Sequence, residues 1–439
     1  MYDPQSDLIS ENVTMAEDGS LRFAGRDLPE LAAKYGTPLY LMDEDRIRER
    51  MRAYRAAVRA AFGERGLVLY ASKACSFKHL YEIAAEESLG IDVVSSGEIE
   101  TARRAGFPLE NAWFHSNNKT DEDIRFAIET GVGTFVVDNE EELLAIERIA
   151  GEAGKVQSIL LRLTPGIDPH TYEAVSTGKV DSKFGSAIET GQAAAITDLA
   201  LSLPHIALRG FHCHVGSQVT DATVFLAASD VMLTFIAETE KRTGFRTELL
   251  DLGGGFGVRY VASQPALDIA KTVAEIGAFM NEKAAALGIA LPAVAFEPGR
   301  SIVADAGLTL YTVGTVKRIP GFKNYVSVDG GMTDNIRYAL YRAPYTILPV
   351  RDISAPRGMI CSVVGRCCES GDILQENVSL PAGTKRGDLL ACLTTGAYQY
   401  AMASNYNRVP RPAVVMLRAG ADFPAVRRET PADVSALDV

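Results

Sequence analysis

Cysteine is scarce and scattered: six residues in a chain of 439, with no Cys-x-x-Cys pair, which argues against both a disulfide framework and a zinc cage. Basic residues are in deficit, 44 against 56 acidic, so the net charge of -12 argues against a broad nucleic-acid or anionic-membrane surface. No apolar run approaches the ~18 residues that a membrane span needs. The polar, acidic start Met1-Tyr-Asp-Pro-Gln-Ser-Asp shows no secretory or transit signal. Two phosphate-loop motifs are missing as well. Tyr260 stands where a Rossmann fingerprint counted from Gly255 needs its third glycine, and Gly154-Lys155 lacks Walker A spacing. What is left, 47% hydrophobic and 23% charged, predicts a cytoplasmic globular protein of two or three domains.

Short apolar or β-branched runs recur through the first two thirds, each followed by a helix-like segment. They are 66–74, 90–95, 112–117, 134–138, 158–163, 207–216, 248–255 and 293–299. Between them, Phe77, Leu80, Tyr81 and Ala84 form a helical stripe. Ser95 and Glu98 have capping-box spacing. Thr120 caps a helix that Gly131 stops, and Asn139 caps another carrying Leu143, Ile146 and Ile149. Eight strand–helix alternations predict an α/β fold of the (β/α)8 barrel type, with an open doubly wound sheet as the alternative. After Arg300 the texture turns to strands separated by Gly, Pro and Asp: 308–318, 324–329, 345–350, 359–364, 387–395 and 413–418. This predicts a second, mostly β domain, a Greek-key-like barrel or sandwich, which the short runs 21–24 and 38–42 join. The expected boundaries are 1–42 for an N-terminal segment contributing to the β domain, 43–304 for the barrel and 305–439 for the C-terminal domain.

In such barrels chemistry sits at the carboxyl ends of the strands. Here those ends carry Lys73, Asp92, Ser95, His115, Asp138, Arg162, His212, His214, Ser217, Asp251 and Glu297, a ring of polar groups that packing does not explain. Lys73 by itself reads as a solvated charge, but beside a helix start it also suits a nucleophilic amine. His212 and His214 read as core histidines or, as His-x-His, as metal ligands. The run Gly253-Gly254-Gly255 is a tight turn or, together with Gly299-Arg300, the barrel's anion cradle. Glu297 would pair with Arg300 or with a protonated ring nitrogen. Amine, anion cradle and carboxylate are the three anchors that pyridoxal 5'-phosphate requires.

Five motifs in the right order carry a resemblance. Tyr70-Ala-Ser-Lys73-Ala-Cys, Gly210-Phe-His-Cys-His214-Val-Gly-Ser217-Gln, Leu252-Gly-Gly-Gly-Phe-Gly, Glu297-Pro-Gly-Arg300 and Cys368-Glu-Ser-Gly-Asp372 resemble the alanine-racemase-fold, pyridoxal-phosphate-dependent decarboxylases of ornithine, diaminopimelate and arginine. Gly330-Gly-Met-Thr-Asp-Asn-Ile-Arg337 and the stretch from Gly396 to Pro412, with Tyr398, narrow the likeness to the diaminopimelate branch. The resemblance implies Lys73 as the Schiff-base lysine and His214 stacked on the cofactor ring. It implies Ser217, Gly253, Gly254, Gly255, Gly299, Arg300 and Tyr398 on the phosphate side, and Glu297 at the pyridine nitrogen. Arg300, Arg337, Tyr341, Glu369 and Tyr398 resemble substrate-binding groups. Cys368 and Glu369 resemble the pair that a neighbouring subunit supplies in a homodimer with shared active sites.

The implied activity is conversion of meso-2,6-diaminopimelate to L-lysine and CO2, with Cys368 as general acid and no metal. An acid and an arginine together, Glu369 and Arg337, suit a side chain ending in both an ammonium and a carboxylate. Related decarboxylases acting on ornithine, lysine, arginine or carboxynorspermidine, and a non-catalytic binding regulator, are the alternatives. Two departures from the family pattern fall near the distal pocket. Tyr338 replaces an expected proline, and Arg366-Cys367 replace Gly-Pro and an apolar residue.

Overall fold

Eight short strands dominate the first compact unit, and each is followed by polar turn chemistry that stops it. They are Gly66–Ala71 (β1), Gly90–Val93 (β2), Ala112–Phe114 (β3), Thr134–Val137 (β4), Gln157–Thr164 (β5), Ile206–His212 (β6), Leu249–Asp251 (β7) and Ala293–Phe296 (β8). All neighbours are parallel, and β5 pairs with β4 while β8 pairs with β1, so the sheet closes with no edge. Closure decides between the two architectures that periodicity left open: this is a (β/α)8 barrel. The computed structural model describes residues 8–167 and 183–439.

The helices are Lys78–Glu86 (α1), Ser96–Arg104 (α2), Asp121–Thr130 (α3), Glu140–Glu152 (α4), Gln192–Ser202 (α5), Thr223–Thr243 (α6) and Ile269–Leu287 (α7), and side chains cap the N-termini of α2, α3, α4 and α7. Thr120 and Asp123 make the full reciprocal capping box of α3, and Gly131 ends it in the left-handed conformation. Asn139 caps α4 as expected. At α2 only half of the expected box forms. Ser95 accepts from Glu98 N, but the Glu98 carboxylate turns to Val94 N at 2.7 Å. Inside the barrel Leu69, Trp113, Val136, Leu160 and Ala295 pack as one cluster. Among the described residues no helix is long and apolar enough to cross a membrane.

The second unit comprises the described residues through Glu49, together with Val258–Pro265 and Arg300–Val439. It is mostly β: Gly307–Arg318 (β9), Asn324–Val328 (β10), Ile347–Pro349 (β11), Met359–Val364 (β12), Ile373–Leu380 (β13), Leu389–Leu393 (β14), Ala413–Arg418 (β15) and Ala421–Val426 (β16). The N-terminal strand Leu39–Asp43 lies between β9 and β15, so the early run does join this sheet. The long β9 pairs through its first half with Leu39–Asp43 and β14, and through its second with β10. Its two halves thereby serve two apolar cores, one around Leu41, Leu310 and Val415, the other around Tyr311, Val326 and Leu374. A short helix, Arg337–Tyr341 (α8), follows β10.

Candidate active site

The lysine turn is built by local hydrogen bonds. Immediately after β1, Ser72–Ala74 form one 3-10 turn that carries Lys73. Tyr70 Oη donates to Cys75 O at 2.7 Å, and Ser72 Oγ donates to Asp92 O at 2.6 Å across to β2. The lysine charge bears on Asp92, Glu98 and His214. Burial lifts the Glu98 carboxyl to about 7, and burial reinforced by Lys73 holds the His214 imidazole well below its ordinary value.

At the end of β8, Glu297 sits buried between two imidazoles. His115 Nε2 lies 2.6 Å from Oε1, and His212 Nε2 lies 3.3 Å from Oε2. The two histidine rings meet edge to face, 4.9 Å between centroids. Burial opposes any charge here, yet the imidazoles of His115 and His212 hold Glu297 well below the usual carboxylate range. Its neighbours go the other way. Burial, then the charge of Glu297, pushes Asp251 well above its ordinary value, and burial also raises Asp92. Burial drops His212 to about 3. The three carboxyls are thus pushed in opposite directions, Glu297 down and Asp92 and Asp251 up.

The His-x-His pair does not act as a unit. Strand β6 ends at His212, which turns to Glu297; His214 lies beyond the strand, over the glycine run. A Cβ on Gly253 would stand 2.8 Å from His214 Nδ1. One on Gly254 would stand 2.1 Å from Glu297 O, and one on Gly255 2.4 Å from Gly216 O. Only glycine permits this approach, and Gly253 and Gly255 also have φ of +69° and +105°. The Gly216–Val219 loop, which holds Ser217, runs along the glycines, with Val219 N bonded to Gly255 O at 2.9 Å. Gly299 packs against Ala71 O, next to the lysine turn.

A second cluster belongs to the β unit. Buried Arg300 donates through Nη1 to Tyr260 Oη at 2.6 Å and lies 4.8 Å from the Tyr398 ring centroid. Arg337, on α8, lies 5.2 Å from the same ring and 5.2 Å from that of Tyr341. Two guanidinium groups thus share one tyrosine, which itself holds a left-handed φ of 62°. Such a pair of buried like charges suits anions. Cys368 and Glu369 lie between β12 and β13, both exposed, with Glu369 Oε1 accepting from Gly371 N at 3.0 Å. Tyr338 is anchored through its hydroxyl to Glu376 Oε2 at 3.0 Å.

Pyridoxal phosphate fits the barrel set. Both Asp92 oxygens and His212 Nδ1 are buried without a hydrogen-bond partner, so polar groups here suit a polar ligand. The donor chemistry suits it too: an amine, an ionised carboxylate for a protonated ring nitrogen, and a bare-backbone run for an anion. Sequence reasoning placed Asp92, His115, Arg162, His212 and Asp251 at the mouth without assigning them partners. It gave no function to Tyr260, whose hydroxyl holds Arg300.

Comparison with known proteins agrees. Residues 44–304 match the family model described as pyridoxal-dependent decarboxylase, pyridoxal binding domain. The diaminopimelate decarboxylase of Bacillus subtilis (strain 168) is 45% identical over 423 residues, covering 96% of each chain. That of Mycobacterium tuberculosis (strain ATCC 25618 / H37Rv) is 40% identical, covering 98% of this chain and 97% of its own. Among solved structures, diaminopimelate decarboxylase from M. jannaschii in complex with L-lysine superposes with a TM-score of 0.90 at 33% identity, covering 98% of both chains. A lysine/ornithine decarboxylase from Vibrio vulnificus, complexed with putrescine, gives 0.76 at 26% identity, covering 89% of this chain and 97% of that one.

Proposed function

The chain belongs to the pyridoxal-dependent decarboxylases, in their diaminopimelate branch, and from that premise we propose how its residues remove CO2 from meso-2,6-diaminopimelate to leave L-lysine. It is a carboxy-lyase whose cofactor is pyridoxal 5'-phosphate. Residues 43–304 are assigned to the cofactor-binding barrel. Lys73 would hold the cofactor through its aldehyde, His214 would lie against its ring, and Glu297 would pair with its protonated ring nitrogen. Ser217, Gly253, Gly254, Gly255, Gly299, Arg300 and Tyr398 would hold its phosphate. When bound, the cofactor supplies an electron sink for the pair left on the α-carbon as CO2 departs.

The observation that carries this reading is Glu297: a buried carboxyl at the end of β8, held well below the usual carboxylate range by His115 Nε2 at 2.6 Å and His212 Nε2 at 3.3 Å. Arg300, Arg337, Tyr341, Glu369 and Tyr398 bind the substrate, with Arg337 and Glu369 taking the distal carboxylate and ammonium. Cys368 delivers a proton to the α-carbon. Cys368 and Glu369 act in the site of a second subunit of a homodimer; their exposure in the single chain supports this. The six cysteines are free thiols, which supports a cytoplasmic setting.

A substrate panel tests the reading. CO2 release is expected from diaminopimelate and not from ornithine, lysine or arginine. Arg337→Ala removes one charge-assisted contact worth ~1.5–3 kcal/mol, so kcat/KM on diaminopimelate is expected to fall by ~10–150-fold. Retention of full activity by that variant would overturn the substrate assignment.

A further inference from the structure

Asp372 closes the Cys368-Glu-Ser-Gly-Asp372 motif, and no role above uses it. Its side chain is buried at the junction of two loops. Oδ1 accepts from Met332 N at 2.6 Å, and Oδ2 accepts from Cys367 N at 2.7 Å. The backbone continues the tie: Asp372 N donates to Glu369 O at 3.1 Å, and Arg366 N donates to Gly330 O at 3.0 Å. Two glycines make room for the carboxylate. A Cβ on Gly331 would stand 2.7 Å from both its oxygens, and one on Gly365 2.3 Å from the nearer. Neither glycine has positive φ, so both answer to this close approach rather than to a turn. One carboxylate therefore joins the loop bearing Cys368 and Glu369 to the 330–337 stretch that ends in Arg337.

Cys368 is held from its other side as well. Its amide donates to Asn407 Oδ1 at 2.8 Å, and Asn407 sits at a left-handed φ of 52°, where Asn and Gly are the residues at ease. The amides of two successive cysteines are thus each captured by a side chain. Of the two thiols Cys368 is exposed and Cys367 half-buried.

We propose that Asp372 and Asn407 are positioning residues that fix the Cys368 thiol for proton delivery, with Asp372 also setting it in register with the Arg337 segment. The proposal rests on Cys368 being the general acid. It involves no bond making of its own; both residues act by accepting backbone N–H groups.

The test is a double-mutant cycle on the holoenzyme. Asp372→Asn places an amide NH2 against one of two backbone donors, and a misplacement of the acid on the ångström scale is expected to lower kcat ~10–100-fold. Asn407→Gly keeps the backbone conformation and removes the acceptor, so a smaller fall of about 3–10-fold is expected, with Asn407→Asp restoring activity. Alkylation of Cys368 by iodoacetamide, mapped by peptide, supplies a readout apart from turnover. Its rate should change several-fold in Asp372→Asn and Asn407→Gly. In a Cys368→Ala background neither substitution should lower kcat further.

If they lower kcat equally in both backgrounds, or leave the alkylation rate unchanged, the positioning role is wrong. If Cys368→Ala alone leaves kcat intact, the assignment of Cys368 itself fails, a separate and recognisable result. Should Asp372→Asn not fold, the Asn407 pair decides the matter by the same criteria.

Discussion

A single methyl group at Gly254 is enough to test whether the barrel mouth is rigid where the chemistry needs it. In Gly254→Ala the new Cβ would lie 2.1 Å from Glu297 O and 3.0 Å from its carbonyl carbon. Carbon contacts settle at ~3.5–4.0 Å, so more than about 1 Å must be found. The obstacle is backbone, and Glu297 N is bonded to Gly253 O at 2.9 Å, so neither strand end can retreat alone. Overpacking of this kind costs ~1–3 kcal/mol. At ~2–4 °C per kcal/mol for a unit of this size, the apparent Tm should fall by about 2–12 °C. Clearing the methyl also moves Glu297 away from His115 and His212, and a shift of ~1 Å costs on the order of 100-fold in rate. The control is Gly97→Ala in α2, where the nearest atom is Ser95 Oγ at 3.7 Å. There alanine favours the helix by roughly 0.5–1 kcal/mol. Thermal unfolding and CO2 release should be measured on both variants. A Gly254→Ala enzyme with the parental Tm and more than about half of its kcat/KM would refute the claim that this approach sets Glu297.

Two further outcomes are expected. Tyr260→Phe removes the acceptor of Arg300 Nη1 while keeping the ring against Tyr345. Loss of a hydrogen bond to a charged group is worth ~1.5–3 kcal/mol, so KM should rise at least ~10-fold; a KM within about twofold would count against Arg300 as an anion binder. The second concerns acid. Buried His212 stays neutral down to about 3, whereas an unfolded chain protonates it near 6.5. Below 6.5 the unfolded state therefore binds the extra proton, and stability falls by up to ~1.4 kcal/mol per pH unit from this group until about pH 3. Urea midpoints should fall less steeply with acid in His212→Gln than in the parent, and equal slopes would reject the argument.

Much of this was legible in the chain. Parallel strands buried on both faces are short apolar runs, so all eight were visible, as were the caps at Thr120 and Asn139. Strand β13 was not, because Gln375-Glu376-Asn377 breaks its alternation. The structure accommodates that break with a register shift against β12 and a left-handed Asn377. Strand β16 escaped as well, being a partly exposed strand with Pro424 inside it. Lys73 and Glu297 could be picked out because strand ends mark barrel chemistry. Their partners could not. His212 and Glu297 are 85 residues apart and meet only when the barrel closes. Asp372 acts on backbone amides, a function that leaves no signature in residue type beyond the glycines around it.

The contrast among the three carboxyls explains why position at a strand end was not enough to choose between them. Asp92, Asp251 and Glu297 all end or flank barrel strands, and all are buried. Burial alone would neutralise each. Asp251 spends one oxygen on Gly253 N at 2.7 Å, and Asp92 has His115 Nε2 no nearer than 3.9 Å. Glu297 alone has an imidazole within 3.3 Å of each oxygen. Its charge in turn disfavours ionisation of Asp92 and Asp251, so the downward shift of one and the upward shift of the others reinforce each other. The same environments that push these carboxyls apart hold the Glu297 carboxyl low at the end of β8, and replacing either histidine should let it rise toward those of Asp92 and Asp251.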